Sequence, residues 1–460
     1  MREEAKVSNN QPIKSRPLRG WRDFSAHAKY ERPSPYSTWI DVPYDPAQEG
    51  IEDMLRIVAS ILIIGLLGVG ACTLMLPERF AINAPLGQLF LGQGIEVPDE
   101  TTIGNRMRAP DGFEVSLWAE GARGARVLRF TPAGDLLISA PHQNAILLAK
   151  RDADGDGQSD GLQTLVAGLD DPHGVELDEG WLYVGETGAL SRIGFDPGKP
   201  ATEPGPSGAR TEGNLERLVT NIPPGGRHRT RTLRRGPDGW LYMNVGSSCN
   251  VCWEENPLRR AALLRFNPKD EFAEETFATG LRNTVGFDWQ PDTGDLYGVD
   301  NGRDLLGDNF PPCELNQIVS SGFYGFPVVN GFGVPDPDYG EGQALLIEKA
   351  QSPAHGFGAH TAPLGFRFIE AKKAPAEYQN AALVALHGSW NRTEKAGYKV
   401  VSLHWQEDGS IEERDFLVGF EDEEDVTGRP ADIVEGPDGA FYVSDDYAGA
   451  IWRVEWTGAS

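Results

Sequence analysis

A six-bladed β-propeller, an all-β fold, is predicted for this 460-residue chain, and three observations carry the prediction. From Ala109 onward short strands alternate with Gly, Pro, Asp and Asn, and no long amphipathic helix interrupts them. One phrase recurs: TPAGDLLIS (131–139), DEGWLYVGE (178–186), GPDGWLYMNV (236–245), PDTGDLYGVD (291–300) and GPDGAFYVSD (436–445). Each is a tight turn running into an alternating or aromatic strand. With the weaker AALVALHGS (381–389) the phrase makes about six units over some 350 residues, a blade-sized period too long for a sandwich or simple barrel. Propeller strands converge on a central channel. Polar residues just after the recurrent strands therefore become candidates for its mouth: His142, Glu186, Ser247, Asp300 to Asp304, His387 to Arg392, and Asp445 with Asp446.

The segments ahead of the propeller read in order. Residues 1–53 are polar and Pro-rich, with 8 Lys/Arg and 9 Asp/Glu, and are expected to be a disordered tail. Arg56 makes this leading part net neutral, so the whole charge of −26 belongs to the rest of the chain. That acidity argues against nucleic acid as a partner. Residues 54–76 are almost wholly apolar and long enough to cross a bilayer as a helix. A lipoprotein-type signal starting at Met54 is the alternative, since Val69-Gly70-Ala71-Cys72 resembles a cleavage site. The anchor is favoured because the apolar run continues past Cys72. Either reading places the large C-terminal part outside the cytoplasm, at the cell membrane on the periplasmic side. Residues 77–108 read as a poorly patterned linker, and 109–460 as the propeller.

Within the propeller, Asp152-x-Asp154-x-Asp156-Gly157-x-x-Asp160 has the alternating carboxylates and turn-permitting glycine of a calcium loop. Gln163 stands where an EF-hand carries its last glutamate, so a structural calcium on a blade edge is expected. The run HRTRTLRRGPDGWLYMNVGSSCNVC (228–252) holds His228 one turn and one strand away from a Gly-Ser-Ser-Cys loop, a common way to build a site on a β scaffold. Cys249 and Cys252 lack a second pair for zinc and a following His for haem attachment, leaving a local disulfide as the expected state in an oxidising compartment. Arg282 offers a planar fork for a carboxylate and Asn283 an amide. In Asp300-Asn301-Gly302-Arg303-Asp304 a glycine permits close backbone approach, so a carbonyl there can ligate a metal. Equally, Arg282 could be paired to a structural acid and the DNGRD run could be only a turn.

The His228 run, GLRN (280–283), DNGRD (300–304), ELN (314–316), FYGFP (323–327) and GRPADIVEGPDG (428–439), taken in that order, resemble the soluble glucose dehydrogenase and sorbosone dehydrogenase family. These are pyrroloquinoline quinone (PQQ) enzymes on six-bladed propellers. The similarity covers approximately 109–456, and the GSSCNVC and HGSWNR phrases resemble the sorbosone-like branch more closely. The resemblance implies that His228 is the base that takes a substrate hydroxyl proton during hydride transfer to PQQ. It implies that Arg282, Asn283 and Arg429 bind PQQ, with Arg392 of the HGSWNRTEK loop in a further cofactor role. It also implies that the Gly302 and Arg303 carbonyls hold the PQQ-associated calcium. Two positions depart from the pattern. Ala431 stands where a second carboxylate-binding arginine is found, and Ser247 where glucose-oxidising members carry the carboxylate that orients the histidine. Glu254 and Glu255 are possible replacements, and Cys313 has no account from the sequence.

The function expected is PQQ- and calcium-dependent oxidation of an aldose or sugar aldehyde, with electrons leaving to a cytochrome c or a quinone-linked acceptor. An anionic tricarboxylate cofactor gives an acidic protein a reason for clustered arginines. The rivals are a calcium-dependent propeller hydrolase and a non-catalytic sugar-binding propeller. Fold alone does not separate these.

Overall fold

The computed structural model describes residues 78–85, 94–199, 211–370 and 373–458. The expected tail (1–53) and apolar span (54–76) lie outside the described residues. Among the described residues no helix is long and apolar enough to cross a membrane.

Each recurrent phrase folds as the turn between the first and second strands of a blade, followed by that second strand: Leu136–Ala140, Trp181–Glu186, Leu241–Val245, Leu296–Asp300, Ala382–Leu386 and Phe441–Asp445. Each pairs antiparallel with an inner strand before it: Leu128–Phe130, Gly174–Asp178, Leu233–Arg235, Thr284–Trp289, Pro363–Phe368 and Pro430–Glu435. Two further strands complete each sheet, giving six four-stranded blades, the third with one short added strand. The last blade takes its outer strand from the start of the domain. Phe113–Ala119 pairs with Ala450–Trp456 from Phe113↔Trp456 onward, so the two ends of the domain close the ring and leave no open sheet edge between them.

The period-2 alternation of these strands distributes the core. Leu136, Ile138 and Ala140 pack towards the last blade with Tyr442 and Ile451, while Leu137 points the other way against Val175 and Leu182. A similar layer fills each remaining junction between neighbouring blades. Cys313 finds its account here: it is a small buried core residue between Tyr297, Leu315 and Phe357. The GPDG phrase also acquires a physical reason. Asp238 accepts from Tyr242 Oη at 2.9 Å and from Arg265, and Asp438 accepts likewise from Tyr442 Oη at 3.1 Å and from Arg453. Turn and strand are latched by the same carboxylate in both blades.

The expected linker (77–108) makes specific contacts with the propeller where it is described. The helix Glu100–Arg106, capped by Asp99, is tied by Arg106 to Asp425 at 2.8 Å. Upstream, Asn391 donates to the Arg79 and Ala81 carbonyls, and Lys395 donates to Asn83.

Candidate functional site

In an antiparallel four-stranded meander, the approach to the inner strand and the loop after the second strand emerge on the same face. That topology brings together residues far apart in the chain. His228, Arg282, His360 and Arg429 precede inner strands, whereas Ser247, Gly302, Arg303, His387 and Asp446 follow second strands. All therefore ring one mouth of the channel. Within the channel, residues of all six inner strands or their approaches, among them Arg126, His173, Thr232, Gly286, Arg367 and Asp432, line a space of about 10 Å³, room for a single water.

His228 is held by three features of its loop. Fully buried Arg231 donates to the His228 carbonyl at 3.2 Å and to the Thr230 and Pro223 carbonyls, and burial pushes its own pKa down to about 9. Gly246 lets the ring approach, since a Cβ there would stand 2.6 Å from His228 Cβ and 2.9 Å from Asn283 Oδ1. Finally, His228 Nδ1 lies 2.9 Å from Ser247 Oγ and 3.0 Å from the Ser247 carbonyl oxygen. A carbonyl only accepts, and the Ser247 hydroxyl spends its proton on the Cys249 carbonyl at 2.8 Å. The proton must therefore sit on Nδ1. Nε2 keeps its lone pair and takes no hydrogen bond from the described residues, the state a general base needs. Burial, reinforced by the Arg282 charge, lowers the His228 pKa to about 3, so the ring is neutral at ordinary pH. The expected carboxylate substitutes do not serve it: Glu254 accepts from Ser248 N and Ser248 Oγ instead.

Arg282 is almost fully spent. Nε donates to the Asn250 carbonyl, Nη1 to the Asn301 carbonyl, and Nη2 to Asn250 Oδ1 and Asp304 Oδ2. One Nη1 hydrogen remains. Asp304 in turn faces His360, whose Nδ1 is 3.8 Å away and whose Nε2 bonds the Gly307 carbonyl. His360 is thus a fixed part of the mouth. Asn283 Oδ1 is buried without a partner. The Gly302 and Arg303 carbonyls accept no hydrogen bond from the described residues, and a Cβ at Gly302 would stand 2.7 Å from the Pro312 carbonyl oxygen. Asp300 and Glu314 are partners on adjacent strands, and burial raises their pKa values to about 6 and about 8. Each acid is hydrogen-bonded, Asp300 by Asn283 N and Thr284 Oγ1 and Glu314 by Asn316 Nδ2 and Gly331 N, and it is the unpaired carbonyls that fit a divalent cation. The Arg303 side chain turns away to Asp336 and Asp338.

The remaining candidates divide. Arg429 donates to the His387 and Gly388 carbonyls and lies over the Tyr398 ring. Arg392 is turned to the Asp308, Ala359 and Glu394 carbonyls, so it braces the blade-five loop against the loop after Gly302. His387, a candidate for the mouth, pairs with Asp446 at 2.9 Å, and Asp446 pairs with Arg126 at 2.8 Å. His173 lines the channel and is bonded to Thr232. Glu186 is a buried structural acid bound by Asp170 N and Arg217, and His142 is exposed at the rim. Neither reaches His228. The acidic loop lies after the third strand of the first blade (Ala145–Ala149), on the face opposite the mouth. Asp152, Asp154 and Asp156 bring oxygens within 4.8 Å of one another. Asp160 does not join them, because it caps Ala153 N.

The disulfide expected between Cys249 and Cys252 is formed. Sequence reasoning missed Asn250 inside it, and Arg126. A signal existed for Asn250, an amide fixed between two bridged cysteines beside the candidate base.

The family model described as TrAA12-like matches residues 107–315 and 344–457. Among solved structures, the iodide structure of the Trichoderma reesei Carbohydrate-Active Enzymes Family AA12 protein is 20% identical, with a TM-score of 0.63 over 76% of this chain and 98% of that one. The holo form of the pyranose dehydrogenase PQQ domain from Coprinopsis cinerea is 21% identical, with a TM-score of 0.63 over 76% and 97%. The PQQ-bound aldose sugar dehydrogenase from Streptomyces coelicolor is 19% identical, with a TM-score of 0.52 over 76% and 100%. Identities this low establish a shared fold. An uncharacterized protein of Borreliella burgdorferi is 38% identical over 219 residues, which are 46% of this chain and 56% of that protein. The chain thus spans little more than half the length of that relative.

Proposed function

The chain belongs to the TrAA12-like family, and from that premise we propose that it oxidises an aldose or a related sugar aldehyde with PQQ and calcium as cofactors. The observation that carries the reading is a neutral histidine, its Nε2 lone pair uncommitted, at the same mouth as Arg282, Asn283 and the unpaired carbonyls of Gly302 and Arg303. The solved neighbours' names, a pyranose dehydrogenase PQQ domain and an aldose sugar dehydrogenase with PQQ bound, support it.

When bound, PQQ supplies the two-electron acceptor, and calcium supplies the Lewis acid that polarises it. The residues do the rest. His228 Nε2 takes the proton of the substrate hydroxyl, and burial keeps that nitrogen unprotonated across neutral pH. The remaining Arg282 N–H and the orphaned Asn283 Oδ1 point to a polar ligand that would complete them. Arg429, from which burial withdraws solvent, gives an anionic cofactor a second positive anchor. The finer reading is a sorbosone-like substrate, an acceptor of the cytochrome c or quinone-linked kind, and a site on the periplasmic side of the membrane with residues 54–76 as anchor. The acidic loop on the opposite face would hold a structural calcium. A propeller hydrolase has less support, because among the described residues no carboxylate trio gathers at the mouth.

The test is to add PQQ and calcium to the purified protein and follow dye reduction with a panel of aldoses and sugar aldehydes. Sugar-dependent reduction that requires both additions is expected. Failure to bind PQQ, together with no dye reduction by any sugar, would overturn the reading.

A further inference from the structure

The four-residue ring closed by Cys249 and Cys252 touches both halves of the site at once. Its first carbonyl, that of Cys249, receives the Ser247 hydroxyl proton at 2.8 Å, and this leaves Ser247 Oγ able only to accept from His228 Nδ1. Its second residue, Asn250, binds Arg282 twice, by its carbonyl at 2.9 Å and by Oδ1 at 2.8 Å. The same Asn250 side chain accepts from Asp304 N at 2.9 Å and donates to the Asp304 carbonyl at 3.0 Å. Three segments of the mouth, ending at 228, 282 and 304, therefore meet on one loop.

We infer that the Cys249–Cys252 ring is the positioning element of the site, fixing the Nδ1–H tautomer of His228 through Ser247 and holding Arg282 and Asp304 through Asn250. The reason is constraint. A carboxylate partner would orient the ring by charge, whereas a serine orients it only if its own proton is committed elsewhere. The Cys249 carbonyl makes that commitment, and the disulfide restricts the backbone that presents it. An unbridged loop offers the same atoms but not one fixed direction. Cys249, Cys252, Ser247 and Asn250 are positioning residues, since none carries the base or the free N–H. The catalytic reading of His228 rests on the proposed function, but the tautomer does not.

The experiment uses histidine-labelled full-length protein and reads the His228 ring by ¹⁵N NMR, with PQQ titration and steady-state kinetics alongside. In the parent protein Nδ1 should show a protonated and Nε2 an unprotonated nitrogen shift. In Cys249→Ser/Cys252→Ser the two shifts should move towards exchange-averaged values, and in Ser247→Ala, where the carbonyl of residue 247 still accepts from Nδ1, they should move part of the way. With them kcat should fall about tenfold or more while KM changes little, the expected cost of a misaimed base. Asn250→Ala should leave the tautomer intact and weaken PQQ binding about tenfold. Should the double cysteine variant fold poorly, Ser247→Ala carries the test, because it removes one oxygen and leaves the disulfide. Parent-like ring shifts in both Ser247→Ala and the cysteine variant would overturn the inference. A parent protein that shows the tautomer yet oxidises no sugar would instead sink the proposed function and leave the positioning role standing.

Discussion

The Arg282 guanidinium and the Asp304 carboxylate form an ion pair 3.0 Å apart in which the arginine side chain is only 7% exposed. The pair is one of four contacts that hold the fork flat between the loops after 246 and 300. Substitution with alanine should weaken PQQ at least tenfold, about the 1.5–3 kcal/mol of a hydrogen bond to a charged group. Lysine should not rescue it, because a point charge cannot satisfy Asn250, Asn301 and Asp304 together. Absorbance titration of PQQ measures this, and parent-like affinity in Arg282→Lys would refute it.

His228→Ala should remove turnover by about 10²–10⁴-fold, the range for a lost general base, while PQQ affinity stays near the parent value. Stopped-flow reduction of bound cofactor separates the two effects. Full activity in this variant would mean that another group takes the proton.

Burial, with neighbouring arginines, lowers the pKa of His173, His228 and His387 to about 3. A histidine depressed in this way is neutral in the fold and protonated when unfolded below about pH 6.5. Each therefore adds stability that is full above that pH and is lost as pH falls towards 3. The ring protons of these three should not titrate between pH 5 and 8. A midpoint near 6.5 for any of them would contradict its burial.

Calcium should act on the two faces independently. Asp154→Asn on the acidic loop should reduce any calcium-dependent rise in Tm and leave kcat unchanged. Chelation should release PQQ from the mouth in parent and variant alike. Loss of turnover in Asp154→Asn with PQQ still bound would place catalysis and that loop in one unit.

Phe113 closes the ring, packed edge-on against Tyr378, Phe416 and Trp456. Phe113→Ala should cost about 3–5 kcal/mol, as large-to-small changes in a well-packed core do, and thermal unfolding reads it directly. A loss under 1 kcal/mol would show that the closing strand is held mainly by its backbone pairing.

Blade number, strand positions and the turn of each repeat were legible in the sequence because they depend on near neighbours. A GPDG turn latched to a tyrosine four residues on, and alternating Leu136, Leu137 and Ile138, carry their structure within a few positions. The local disulfide was readable for the same reason. The partner of His228 was not, because a serine replaces a carboxylate only when a carbonyl two residues later takes its proton. Nor could the residues show that Arg303 turns to Asp336, 33 positions away, that His387 meets Asp446, 59 positions away, or that Asn391 caps Leu305 across 86. The last two pairings exist because neighbouring blades present their loops on one face, and the first because the long excursion between Gln317 and His355 returns to the same blade. Local pattern sets each strand, but ring closure alone sets which loops become neighbours, and the site is made of such neighbours.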